Sequence, residues 1–103
     1  MAIPFVIINL DKPRKLRFGM GAMVEFEQLT GVKITSLDED NISMELLAKV
    51  LWVMLKNEDK ELTFNDVLNL VDDNADDLSY IMETVTKAMQ AAFGTETKQA
   101  KNA

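Results

Sequence analysis

With 103 residues, 48% of them hydrophobic and 27% charged, the chain has the size of one small domain and is too apolar to be disordered throughout. It has no cysteine and no histidine, which removes disulfides, thiolate nucleophiles, thiolate or imidazole zinc sites and the commonest general base near neutral pH. A formal charge of −6 opposes association with a nucleic-acid polyanion.

A chain of this length hides only about 60 to 65% of the surface that its unfolded form exposes, so association with a partner can matter to its stability. No run approaches the roughly 20 apolar residues that span a bilayer, and residues 1–10 lack the charged start and cleavage site of a secretory signal. A cytoplasmic protein with no membrane partner is therefore expected.

The chain opens with an extended pattern. Ile3, Phe5, Val6, Ile7, Ile8 and Leu10 form a β-branched and aromatic run, Asp11, Lys12 and Pro13 interrupt it, and Lys15, Leu16, Arg17 and Phe18 resume with polar and apolar residues alternating. This predicts a β-hairpin, which is marginal alone and must lie on helices or join strands of another copy.

Everything after Phe18 reads as helix. Met20, Met23, Val24, Phe26 and Leu29 fall near helical spacing, with Gly31 where a left-handed stop is favoured. A second helix is expected from near Ser43, with Glu45 in its first turn, to about Asn57; its apolar residues cover more than one stripe, which marks it as central. The third start is the clearest local signal: Thr63 caps, Asp66 holds the reciprocal capping position, and Leu62 can staple onto Val67. That helix is expected to run to about Val71. The fourth begins somewhere in residues 74–77, carries Leu78, Ile81, Met82, Val85, Ala88, Met89 and Ala92 on one face, and has Gly94 as its stop. The fold class is thus α+β, mostly α: an N-terminal β-hairpin followed by about four helices in a small bundle. Residues 1–94 form the single domain and residues 95–103, with nothing apolar larger than alanine, a mobile polar tail.

Several patterns invite chemistry and are better explained without it. Gly19 and Gly21 open a helix after a strand, but a dinucleotide fingerprint wants Gly or Ala where Val24 stands; the simpler reading is a tight turn at two flexible residues. Asp72, Asn74, Asp76 and Glu83 have calcium-loop spacing, but the sixth position, which needs Gly, is Asp77, so acidic helix caps are preferred. No Ser or Thr has an evident base beside it. The expectation is no enzyme, no metal and no cofactor.

Charge is polarised along the chain. Lys12, Arg14, Lys15 and Arg17 cluster without an intervening acid, whereas residues 38–83 hold 13 acidic and 3 basic side chains. The simpler reading of the basic group is a solvated hairpin end. The alternative makes these four residues self-association candidates, set against the acidic region of another subunit; such head-to-tail packing makes rings or helices. The seven methionines suit irregular packing, and core filling accounts for most; any left exposed together would mark an adaptable groove. Trp52, the sole tryptophan, is read as a core or interface anchor, and with core burial its replacement by alanine would cost about 3 to 5 kcal/mol.

The string from Lys15 to Gly31, KLRFGMGAMVEFEQLTG, resembles as a whole the opening of tail assembly chaperones of long-tailed bacteriophages and related prophages. In these a basic and apolar strand leads into a helix ending in an F-E-x-x-T-G element, here Phe26, Glu27, Thr30 and Gly31. The later order is similar too: a Leu- and Trp-bearing helix, a short charged link, the L-T-F-N-D-V start at 62–67, an acidic turn and a last amphipathic helix. The likeness covers residues 3–93.

It implies a small, mostly helical protein that binds the tape measure protein stoichiometrically in the cytoplasm of the bacterial host, self-associates, and is absent from the mature virion. Apolar residues of the first and last helices, Met23, Phe26, Met82 and Met89, are then the partner-binding candidates. In many such phages a ribosomal frameshift makes a longer form that recruits tail tube protein. Ala100, Lys101 and Asn102 can be encoded GCA AAA AAC, which contains a slippery heptamer in the required phase. The competing readings are a minor tail, tube or connector protein retained in the virion, and a small acidic adaptor domain.

Overall fold

The computed structural model describes residues 3–38 and 41–93. Its elements follow one another as β1 (Val6–Asn9), β2 (Pro13–Leu16), α1 (Met20–Thr30), a short 3₁₀ turn (Ile34–Ser36), α2 (Met44–Leu55), α3 (Phe64–Asn74) and α4 (Leu78–Phe93). The fold is α+β and mostly α, a two-stranded antiparallel hairpin followed by four helices. The stop expected at Gly94 and the tail at 95–103 lie outside the described residues.

The hairpin alternates as its sequence does. Val6 pairs with Leu16 and Ile8 with Arg14, so that Ile8 and Leu16 point into the core while Ile7 and Lys15 face out. Phe18 is fully buried and meets Phe26 of α1 edge-on at 6.4 Å and Phe93 of α4 at 6.0 Å between ring centroids, locking hairpin, first helix and last helix together.

The central position expected for α2 is observed. It buries Leu47, Val50, Leu51, Val53, Met54 and Leu55 and packs against β2, α1, α3 and α4. A helix contacted on several sides needs more than one apolar stripe, which is why its pattern lacks a clean amphipathic period.

Local caps set the helix ends. The last turn of α1 is closed by Gly31 at φ 73°, a left-handed conformation that suits a residue without a Cβ, and its N–H donates to the Glu27 carbonyl. The Thr30 hydroxyl donates to the Phe26 carbonyl at 2.8 Å and accepts from Val32 N–H, while the Glu27 carboxylate accepts from Ile34 N–H at 2.9 Å. The F-E-x-x-T-G element is therefore a helix-stop device that also anchors the start of the following link. The described residues of that link, 31–38 and 41–43, are not helical throughout, and they lay Val32, Ile34, Leu37 and Ile42 on the core.

Ser43 caps α2 through Leu46 N–H. Thr63 and Asp66 form the reciprocal capping box of α3. Asp77 accepts from Tyr80 N–H and caps the start of α4. Helix α3 runs three residues past the expected Val71, to Asn74, because the acidic residues after Val71 continue the helix instead of ending it.

The glycine pair departs from expectation. Gly19 has an ordinary φ of −82°, and a Cβ on Gly21 would meet nothing within 4 Å. Neither position demands glycine, so the strand-to-helix turn does not use the flexibility attributed to it.

Candidate functional site

Helix α3 packs on α2, and α4 packs on α2 and β1, but α3 and α4 make little contact with one another. Their three-residue link splays them and leaves a groove of about 350 Å³ over the α2 face. Leu47 and Leu51 of α2, Val67 of α3 and Ile81 of α4 form its buried floor. Met44, Leu68 and Leu78 form its walls, exposed by 49%, 38% and 52%. Asp72 stands at the rim, and Met82, one turn beyond Leu78, is also exposed. The groove exists because α3 and the start of α4 carry apolar stripes wider than their contact with α2.

The opposite end of the molecule is organised differently. Arg14 is 6% exposed; its Nε and Nη2 donate to the two Asp11 carboxylate oxygens, each at 2.9 Å, and its Nη1 lies 3.9 Å from Asp59. These two hydrogen bonds hold the Asp11 carboxyl below the usual carboxylate range and raise Arg14 further. Lys15 Nζ sits 4.9 Å above the Phe5 ring, and its backbone N–H donates to Glu58. The Arg17 carbonyl accepts from Asn57, and Asn9 N–H donates to the Tyr80 hydroxyl. Three backbone groups of the hairpin and its exit are thus held by side chains from the rest of the chain.

The residues singled out from the sequence separate accordingly. Phe26 and Met89 are not on a binding surface: they belong to the core, because the α1 and α4 stripes carrying them face the hairpin and α2. Met23 is half-buried against that core and Met82 is exposed beside the groove. Arg14 is not part of a solvated basic cluster, since Asp11 and Asp59 hold it internally; Lys12, Lys15 and Arg17 are exposed.

Trp52 is half-buried. Its Nε1–H donates to the Leu62 carbonyl at 2.9 Å, its ring lies 5.5 Å from Phe64, and Lys56, which also pairs with Glu25, sits above it. It ties α2 to the start of α3. Core filling does not account for most methionines: among the described residues Met54 and Met89 are buried and Met23 half-buried, whereas Met20, Met44 and Met82 are exposed. Met44, Leu68 and Leu78 escaped the sequence reading because each sits at a helical core spacing; only the splay of α3 from α4 uncovers them.

The calcium-like spacing is laid over two helices. Asp72 and Asn74 lie in the last turn of α3, where Asn74 donates to the Leu70 carbonyl, and Glu83 lies in the second turn of α4. What this surface offers chemically is apolar area with one acid, Asp72, at its rim. No family model, characterised protein or solved structure matches the chain. Among the described residues no helix is long and apolar enough to cross a membrane.

Proposed function

We propose that the protein is a stoichiometric tail assembly chaperone, laying the groove between α2, α3 and α4 over apolar helical stripes of a phage tape measure protein to keep it soluble. The open apolar groove walled by Met44, Leu68 and Leu78 carries this reading. The resemblance of residues 15–31 supplies the client. A long helical chain exposes apolar stripes until the tail tube encloses it, and such stripes aggregate unless covered. A small subunit of charge −6 would cover them while keeping the complex soluble. Many weak contacts would hold collectively and release singly as tube subunits take over, so no bond-making step is required. Action in the host cytoplasm, absence from the virion, self-association, and recruitment of tail tube protein through a frameshifted longer form belong to the same proposal.

Exposed Phe5, just before β1, and Ile7 on β1 favour a second reading, a minor tail or connector protein that polymerises through its N-terminal strands. Detection of the chain in purified virions would select it.

Co-expression with the product of the next long downstream gene tests the chaperone role. The expected result is a soluble long protein co-purifying with many copies of this chain, and loss of both effects with the folded variant Leu68→Ser/Leu78→Ser. A long protein that is soluble alone and ignores this chain overturns the proposal.

A further inference from the structure

The apolar interior of the groove requires an occupant with an apolar stripe, and the charge around it selects among such stripes. Between Lys60 and Lys87 the chain carries seven acidic side chains and no basic one. Asp72 is at the groove rim, Asp73 is its neighbour in the last turn of α3, and Asp76 and Asp77 occupy the link that joins the two groove walls. No Lys or Arg of the described residues is ion-paired with these four. Asp77 accepts from Tyr80 N–H through one oxygen and, with Asp76, lines the neighbouring hollow toward Asn9 and Leu10.

We infer that the groove is the receptor for an amphipathic α-helix whose apolar stripe is flanked by Lys or Arg. This rests on the chaperone reading and specifies which client segments the groove takes. The helix sets anchors spaced i, i+3 or i+4, and i+7 between Met44, Leu68 and Leu78. Its basic side chains lie with their stems along the exposed walls and their charged ends toward Asp72, within the acidic α3–α4 region.

Other occupants fit less well. Residues 94–103 offer no apolar side chain larger than alanine. Helix α1 of a second copy, with exposed Met20 and Val24, carries Glu25 and Glu27 and no basic residue, so acid would face acid. The hairpin face of a second copy, Phe5 and Ile7 beside Lys15, matches in charge. A groove filled by another subunit, however, could not receive a client.

The test uses fluorescently labelled helical peptides of about 18 residues, sharing one leucine stripe and flanked by either Lys or Glu. Binding to the full chain is read by anisotropy. The Lys-flanked peptide should bind at least about tenfold more tightly at about 0.15 M salt, with the ratio shrinking at about 0.5 M. Leu68→Ser/Leu78→Ser should weaken it by about tenfold or more with the helical circular dichroism unchanged. Asp72→Asn/Asp76→Asn should reduce the preference for Lys over Glu.

Equal binding of the two peptides, no binding of either, or binding indifferent to the leucine changes overturns the inference. So does self-association, followed by sedimentation, that the leucine changes abolish, because a second copy is then the occupant. Failure of the peptides with client solubilisation intact removes the charge rule and leaves the chaperone; failed co-expression with intact peptide discrimination does the reverse.

Discussion

The hairpin end and the groove end are built from similar materials and finished differently. Both carry apolar side chains and a local excess of one charge. At the hairpin one charge is taken up internally: Arg14 is buried against Asp11 and Asp59, while Lys12, Lys15 and Arg17 stay exposed, Lys15 over Phe5, and Glu58, Asn57 and Tyr80 each hold one backbone group. At the groove, Met44, Leu68 and Leu78 stay uncovered and the neighbouring acids face no partner cation among the described residues. A cluster of charge in the sequence therefore says little about where a molecule is receptive. What matters is which charges and which apolar atoms the fold leaves unmatched.

The largest expected effect separates the two ends by stability. Phe26→Ala should cost about 3 to 5 kcal/mol in urea unfolding, since it opens a cavity in the core against Phe18. Leu68→Ser at the groove should cost less than about 1 kcal/mol, because the side chain already faces solvent. Comparable losses at both positions would mean that the groove is closed in solution and the contrast false.

Next in size is the buried arginine. Arg14→Ala should destabilise by about 1 to 3 kcal/mol, less than a fully buried pair because Asp11 and Asp59 keep access to water. Lys12→Ala, two residues away and solvated, should stay within about 0.5 kcal/mol. Equal effects would return Arg14 to the solvated cluster that the sequence suggests.

The fold was legible wherever a local device specifies it. The β-branched run from Ile3 to Leu10 and the alternation of Lys15, Leu16, Arg17 and Phe18 mark the hairpin, Gly31 the end of α1, Ser43 the start of α2, and Thr63 with Asp66 the start of α3, each acting within a few residues of itself. The two elements carrying the resemblance are of this kind, an α1 stop and an α3 start. The groove was not legible, because Leu78 and Met89 occupy the same stripe of α4 and differ only in what lies opposite. Met89 meets the core and Leu78 meets the space that the short 75–77 link holds open. The burial of Arg14 escaped for a related reason: its partner Asp59 is 45 residues away and reaches it only through the α2 to α3 connection.

A smaller effect of the opposite sign is expected at the junction behind the hairpin. Gly21 lies in the first turn of α1, with no positive φ and open space at its Cβ position. Gly21→Ala should therefore stabilise by about 0.5 to 1 kcal/mol, chiefly by restricting the unfolded chain. A loss of stability on thermal unfolding would show that this junction needs glycine after all.

The smallest effect probes whether the hairpin charge is truly taken up. The Arg14 hydrogen bonds depress the Asp11 carboxyl in the folded state, so between the folded and unfolded values the unfolded chain binds more protons. The stabilisation is complete above the unfolded value of about 3.9 and fades as pH falls through the depressed folded one. The raised Arg14 is the other side of the same bond; its contribution is present throughout this window and lost only far into alkali. With 40% of the Asp11 side chain exposed, solvent screening should keep the whole effect below about 1 kcal/mol. Thermal unfolding of wild type and Asp11→Asn should then differ near about pH 6 and converge as pH falls below the depressed folded value. A difference that does not change with pH would mean that the contact is an ordinary neutral-strength hydrogen bond. The basic end would then keep its charge for a partner, as the groove keeps its own.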